Sequence, residues 1–171
     1  MFLRTLFTLT LGCTLLLAPA VATAADRGPS TPEERKQALE YIHDFESNPL
    51  GPNAIHEREW VMLWLIEVPD IHVNVCLILD KLPKGNKKDS NTIFAAETFS
   101  QAALVLEHPE KQDDLQAQYL AGVNGALDVY QVLVKANPKD QQPYLDDLLQ
   151  RRTAGTLDQY VKERVAASCG K

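Results

Sequence analysis

Apolar side chains recur every three to four residues over most of the chain, which is the spacing of one face of an α-helix. Proline and asparagine interrupt this pattern at points that are typical helix boundaries. The pattern predicts about seven helices, over residues 31–47, 54–67, 68–82, 92–107 and 113–136 and in two segments that begin at Gln142 and Thr156. Short connections favour a single all-α domain over residues 31–171, either an orthogonal bundle or a short stack of antiparallel helical hairpins.

The third of these segments, from Val68 to Leu82, fits two patterns. Apolar and more polar residues alternate between Ile71 and Leu79, as they do in a β-strand, but apolar residues also recur there at helical spacing. No second convincing strand exists elsewhere in the sequence, and an isolated strand leaves its backbone groups unpaired. We therefore predict that this segment is a helix that opens at Pro69.

Two helix starts carry capping signals. Thr31 precedes Pro32 and two glutamates, an order that suits the first turn of a helix. Thr156 is followed three residues later by Gln159, which is the spacing of a capping box.

The second predicted helix is apolar all round in its last half, from Trp60 to Ile66, which is typical of a buried helix. Trp60 and Trp64 lie four residues apart and therefore share a face. If this helix packs against the fifth, these indoles could line a binding groove with Tyr119 and Tyr130. Packing of all four aromatic rings in the core is the alternative.

The fifth predicted helix contains Gly122 and Gly125, although each glycine costs a helix about 1 kcal/mol relative to alanine. Their presence predicts that a neighbouring backbone approaches closely. The end of this helix resembles the second helix of a tetratricopeptide repeat, at Ala126, Tyr130, Leu133 and Pro138. The positions at which the first helix of that repeat carries Trp, Gly and Tyr hold other residues, namely Glu110, Asp114 and Ala117.

The start of the chain has the pattern of a secretory signal peptide over residues 1–24. Arg4 precedes an apolar run, and Ala22 and Ala24 occupy the two positions that signal peptidase reads. Cleavage after Ala24 would leave a polar linker over residues 25–30 and an exported, periplasmic or extracellular protein. A lipid-anchored form through Cys13 is the alternative, but leucines continue the apolar run beyond that cysteine.

The charge balance narrows the classes of partner. The formal net charge is −6, and it becomes about −7 once the leader with Arg4 is removed. Nucleic-acid and anionic-membrane binding both favour a basic stripe, so we expect neither partner. The chain after residue 24 also has no apolar run of the roughly 20 residues that span a bilayer.

If the protein is exported, the two cysteines that remain after cleavage of the leader are exposed to an oxidising compartment. Cys76 and Cys169 form a candidate disulfide in an oxidising compartment. The alternative is that Cys76 is a small buried hydrophobe among valines and leucines. A bridge would close a loop of about 94 residues, for which chain entropy allows roughly 4 to 5 kcal/mol of stabilisation.

The sequence contains few patterns that indicate metal binding or catalysis. His72 and Cys76 lie four residues apart, so on a helix they could share a metal ion, although a core histidine beside a buried cysteine is the simpler interpretation. The sequence carries no nucleophile elbow, phosphate-binding loop or dinucleotide motif. It therefore favours a protein without enzymatic activity and without a cofactor.

These observations lead to two functional expectations. The first is an exported helical domain that binds a protein or peptide, its partner being another envelope or secreted protein. The second is a helical bundle that binds a small ligand or a metal through His72, Cys76 and the two tryptophans.

Overall fold

Six α-helices make up most of the structure, a computed structural model that describes residues 27–76, 78–83 and 87–169. The predicted signal peptide and Cys13 lie outside these residues, so the structure does not bear on them. The helices are α1 Pro32–Ser47, α2 Ala54–Glu67, α3 Ser90–Glu107, α4 Leu115–Ala136, α5 Pro143–Thr153 and α6 Leu157–Ser168. No strand occurs in the described ranges, and the predicted all-α class is confirmed.

The α3–α4 hairpin forms the centre of the bundle. Most side chains of α3 are buried, and the apolar stripe of α4 packs against them. α1 packs against both helices of this hairpin, α2 packs mainly against α1, and α5 and α6 pack against α4. Within the described residues, no helix combines the length and the apolar composition that crossing a bilayer requires.

The two glycines of α4 lie at the contact with α3, as their position predicts. A Cβ atom on Gly122 would lie 2.6 Å from the backbone oxygen of Glu97, and one on Gly125 would overlap the Ser100 side chain. Bare backbone at these two positions therefore allows the helices to approach closely.

Replacing Gly122 by alanine should destabilise the protein by about 1 to 3 kcal/mol, the usual cost of overpacking a core. Alanine is the better helix former by about 1 kcal/mol, but the new methyl meets a backbone oxygen that cannot move without shifting α3. Urea denaturation measures the effect. Gly28→Ala is the control, because its methyl would meet nothing within 4 Å; equal stability of the two variants would contradict the close approach.

Polar contacts attach α5 to α4. The Tyr130 hydroxyl donates to Asp146 at 2.7 Å and accepts from the backbone N–H of Gln142 at 2.7 Å. Arg152 donates to Asp128 at 2.7 Å. Tyr130, which the sequence placed in a possible binding groove, thus holds two helices together inside the core.

The segment from Val68 to Leu82 is not a helix, so this prediction was wrong. Its described residues follow an irregular path that ends in a turn. Side chains from elsewhere hold it: Asn74 donates to Gln118 at 3.0 Å, and Tyr144 donates to the backbone oxygen of Ile78 at 2.8 Å. The described residues therefore contain six α-helices in place of the predicted seven.

The predicted disulfide is confirmed. Cys76, in this irregular segment, is bonded to Cys169 at the end of α6, and their Cα atoms are 5.7 Å apart. The bridge joins residues 93 positions apart in the sequence and fixes the last helix to the middle of the chain.

Candidate functional site

Helix α2 has one buried and one exposed apolar side. Val61 and Trp64 are buried, whereas Ile55, Leu63 and Ile66 are 64%, 59% and 73% exposed. The expectation that this helix is buried all round is therefore wrong. Because residues at positions i, i+8 and i+11 share a helical face, the three exposed side chains form one stripe.

A groove separates this stripe from the start of α3. It encloses about 510 Å³, and we call it the α2–α3 groove; its walls are formed by Arg58, Glu59, Met62, Leu63, Asn91, Phe94 and Ala95. Its two charged residues, Arg58 and Glu59, carry opposite formal charges. The groove is thus close to neutral and offers an apolar floor between two helices.

The exposed apolar residues are concentrated at this place. Six large apolar side chains are exposed among the described residues, and four of them lie on α2 or at the start of α3: Ile55, Leu63, Ile66 and Phe94. Single exposed apolar residues are ordinary on protein surfaces, but a contiguous group marks an interaction site. Two of these four residues, Leu63 and Phe94, line the α2–α3 groove itself, which makes it the leading candidate site.

A second cavity, of about 270 Å³, lies on the other side of Leu63. We call it the tryptophan pocket, and it is lined by Arg27, Glu34, Trp60, Leu63, Trp64 and Glu67. The indoles of Trp60 and Trp64 are stacked, with centroids 6.0 Å apart and planes 11° apart. Tyr41 from α1 meets the Trp60 ring edge-on at 5.3 Å. The pocket therefore combines aromatic surface with two carboxylates and one guanidinium.

The four aromatic residues of the predicted groove do not line one site. Trp60 and Trp64 border the tryptophan pocket, whereas Tyr119 borders a separate cavity of about 560 Å³ beside the disulfide. Tyr130 is buried in the contact between α4 and α5. The physical reason is that α2 packs mainly on α1 and does not lie along α4.

In the structure, Cys76 is not available to share a metal ion with His72. Both residues lie in the irregular segment and do not share a helical face. The sulfur of Cys76 is bonded to Cys169, so it offers no thiolate to a metal. Within the described part of the chain, no group of three or more histidine, cysteine, aspartate or glutamate side chains is placed to hold a metal ion.

A buried carboxyl group lies at the α3–α4 contact. Glu97 is 2% exposed, and one of its side-chain oxygens has no hydrogen-bond partner among the described residues. Burial raises the pKa of Glu97 to about 8. Burial and then the charge of Glu97 raise the pKa of Tyr119 to about 12. Both side chains are therefore predominantly protonated at neutral pH.

His43, Glu46 and Ser100 form a polar cluster at another edge of the α3–α4 contact. The Ser100 hydroxyl donates to Glu46 and lies 2.8 Å from the backbone oxygen of Ala96, while His43 is 3.8 Å from the Glu46 carboxylate. In a nucleophile relay, an imidazole receives the serine proton, and a carboxylate orients the imidazole. Here the carboxylate lies between serine and histidine, so the order does not activate Ser100.

Comparison with protein-family models, with curated proteins and with solved structures finds no match to this chain. The function must therefore be inferred from the geometry of the α2–α3 groove and the tryptophan pocket.

The sequence interpretation missed the exposed residues of the site. Ile55, Met62, Leu63 and Ile66 form a second apolar stripe, on the side of α2 opposite Trp64. The helical spacing of this stripe was visible in the sequence. Its exposure was not, because it depends on which neighbouring helices cover α2.

Proposed function

We propose that this protein is an exported, non-catalytic interaction module that binds an amphipathic helix of another envelope or secreted protein. The observation that carries the proposal is the exposed stripe of Ile55, Leu63 and Ile66 beside the α2–α3 groove. The partner helix would insert its apolar side chains between α2 and α3.

The shape and chemistry of the groove favour a helix as the ligand. An amphipathic helix binds by placing its apolar face in a groove, with anchors spaced at i, i+3 or i+4 and i+7. Fully burying one leucine or isoleucine contributes about 1.5 to 3 kcal/mol, so a few such side chains provide a useful affinity. Because the groove has one charge of each sign, we expect apolar contacts to dominate binding.

Export is supported by two independent features. Residues 1–24 have the pattern of a signal peptide, and disulfides such as Cys76–Cys169 persist in oxidising compartments. An envelope or secreted partner follows from this location.

A photo-crosslinking experiment in the producing cells tests the proposal. A photoreactive amino acid at position 66 should crosslink to a partner segment whose apolar residues recur at helical spacing, because Ile66 is the most exposed residue of the stripe. A synthetic peptide of that segment should then bind the purified protein. The same photoreactive residue at position 50, which is also exposed but lies off the groove, should give no such crosslink.

Replacing Leu63 by glutamate should weaken the binding of that peptide by about tenfold or more, which corresponds to about 1.4 kcal/mol or more of binding free energy. The reason is that the substitution places a charge in the apolar wall of the groove. Calorimetric titration measures the dissociation constant. Leu50→Glu is the matched control, because Leu50 is 57% exposed and does not line the groove. Equal weakening by both substitutions, or no effect of Leu63→Glu, would contradict binding in the groove.

A further inference from the structure

The chain places one of its own arginines in the tryptophan pocket. The guanidinium of Arg27 donates to Glu34 through Nη2 and to Glu67 through Nη1, the latter at 3.1 Å. Glu34 lies in the first turn of α1, and Glu67 is the last residue of α2. Two helices therefore direct one carboxylate each towards a single guanidinium.

The capping box of α1 orients one of these carboxylates. Thr31 accepts the backbone N–H of Glu34 at 3.1 Å, and one oxygen of Glu34 accepts the backbone N–H of Thr31 at 2.8 Å. The other oxygen of Glu34 is the one that receives Arg27. Since the cap holds the carboxylate whether or not Arg27 is present, the acceptor is preorganised.

The rest of the pocket also suits a guanidinium. The indole of Trp60, which is partly exposed and stacks on Trp64, provides aromatic surface, and arginine packs well on such surfaces. Trp64 is buried, and its indole N–H has no hydrogen-bond partner among the described residues. About 270 Å³ of open volume remains beside Arg27. The site is thus larger than the contact that now fills it.

We propose that the tryptophan pocket recognises an arginine side chain of a binding partner, and that Arg27 occupies the site as an internal competitor. The two carboxylates lie on different helices, and a guanidinium can donate to both from separate nitrogens while its plane packs on the indole of Trp60. A lysine ammonium is a point charge without this planar fork, so the pocket selects arginine over lysine.

Arg27 can leave the pocket without detaching the segment that carries it. The next anchor is Ser30, whose backbone N–H and hydroxyl each donate to Asp70 at 2.8 Å, and Asp70 also accepts from Arg35 at 2.7 Å. The ion pairs of Arg27 are partly exposed to solvent, and pairs of this kind contribute little to stability. An external arginine therefore competes against a weak internal contact.

This site does not depend on the α2–α3 groove, although Leu63 forms a wall of both cavities. A partner that uses both would carry an arginine beside its apolar anchors. A small arginine derivative tests the pocket alone.

The experiment titrates N-acetyl-arginine amide into the disulfide-bonded protein and follows the fluorescence of Trp60 and Trp64, which are its two tryptophans. Arg27→Ala should bind the probe about two- to fivefold more tightly than the parent protein, because the weak internal competitor is gone. The corresponding lysine amide should bind more weakly than the arginine amide. Adding Glu67→Gln to Arg27→Ala should reverse the gain, since one carboxylate is lost.

Two outcomes overturn the proposal: equal binding by Arg27→Ala and the parent protein, and absence of saturable binding by Arg27→Ala. Circular dichroism and thermal unfolding establish that each variant is folded. Phe94→Ser separates this proposal from that of the groove, because Phe94 lines the groove but not the pocket. It should leave arginine binding unchanged, and a loss of arginine binding in this variant would also contradict the proposal.

Discussion

Replacing Glu97 by glutamine should abolish a fall in stability of about 4 to 5 kcal/mol that the parent protein undergoes as pH rises through 8. Burial raises the pKa of Glu97 from 4.5 to about 8, and each pKa unit corresponds to about 1.4 kcal/mol. Between these two values, the folded protein keeps a proton that the unfolded chain releases. The stabilisation that Glu97 contributes by staying protonated in the folded protein is therefore fully present below about pH 4.5 and is lost as pH rises through 8.

The surroundings of Glu97 explain why glutamine should be tolerated. The side chain lies between α3 and α4, close to the phenol of Tyr119, which stays protonated across this pH range. Glutamine has nearly the same shape as protonated glutamic acid and does not ionise. The substitution therefore removes the cost of burying a charge without opening a cavity.

Urea denaturation at pH 5, 7 and 9 measures this effect. The difference in unfolding free energy between Glu97→Gln and the parent protein should grow with pH. Glu59→Gln is the control, because Glu59 is exposed and its removal should shift the stability little at any pH. If the Glu97→Gln and parent curves run parallel from pH 5 to 9, burial of an ionising carboxyl is the wrong explanation.

Removing the disulfide by replacing both Cys76 and Cys169 with alanine should cost about 2 to 5 kcal/mol of stability. The bridge spans 93 residues, so it restricts a large part of the unfolded chain. It also holds the irregular segment against α6. We expect faster amide hydrogen exchange in both places than in the α3–α4 hairpin.

Denaturation with and without a reductant distinguishes the bridge from local packing. The parent protein should lose stability on reduction, whereas the double alanine variant should be unaffected. Reduction that leaves the parent protein at full stability would mean that the bridge does not constrain unfolding.

Helix positions were the most predictable part of the fold. Asn48 and Pro69 end α1 and α2 close to where their sequence patterns end, because proline and its neighbours disfavour further helical turns. The prediction failed between Val68 and Leu82, where packing, side-chain hydrogen bonds and the disulfide hold an irregular backbone. A choice between helix and strand could not anticipate this third outcome.

The two sequence signals for helix capping had different outcomes. Thr156 and Gln159 have the spacing of a capping box, but Thr156 makes no side-chain cap in the structure. Thr31 and Glu34 form a complete one. Spacing alone does not determine the backbone angles that precede a helix, and those angles decide whether the hydroxyl reaches the N–H.

The candidate sites were partly visible in the sequence. Trp60 and Trp64 were correctly placed on one face, and Cys76 and Cys169 were correctly paired. The contribution of Arg27 was not visible, since it lies 40 residues from Glu67 and meets it only because α1 and α2 pack together. Contacts between such distant positions follow from tertiary packing, which sequence periodicity does not encode.

The disulfide also divides the chain mechanically. The covalent ring from Cys76 to Cys169 encloses α3, α4, α5 and α6, whereas α1, α2 and Arg27 lie outside it. A pulling force applied at the N-terminal side would extend α1 and α2 and would then pass through the sulfur bridge, leaving the four enclosed helices unloaded. The part of the molecule that carries the tryptophan pocket can therefore deform under tension while the central hairpin remains folded.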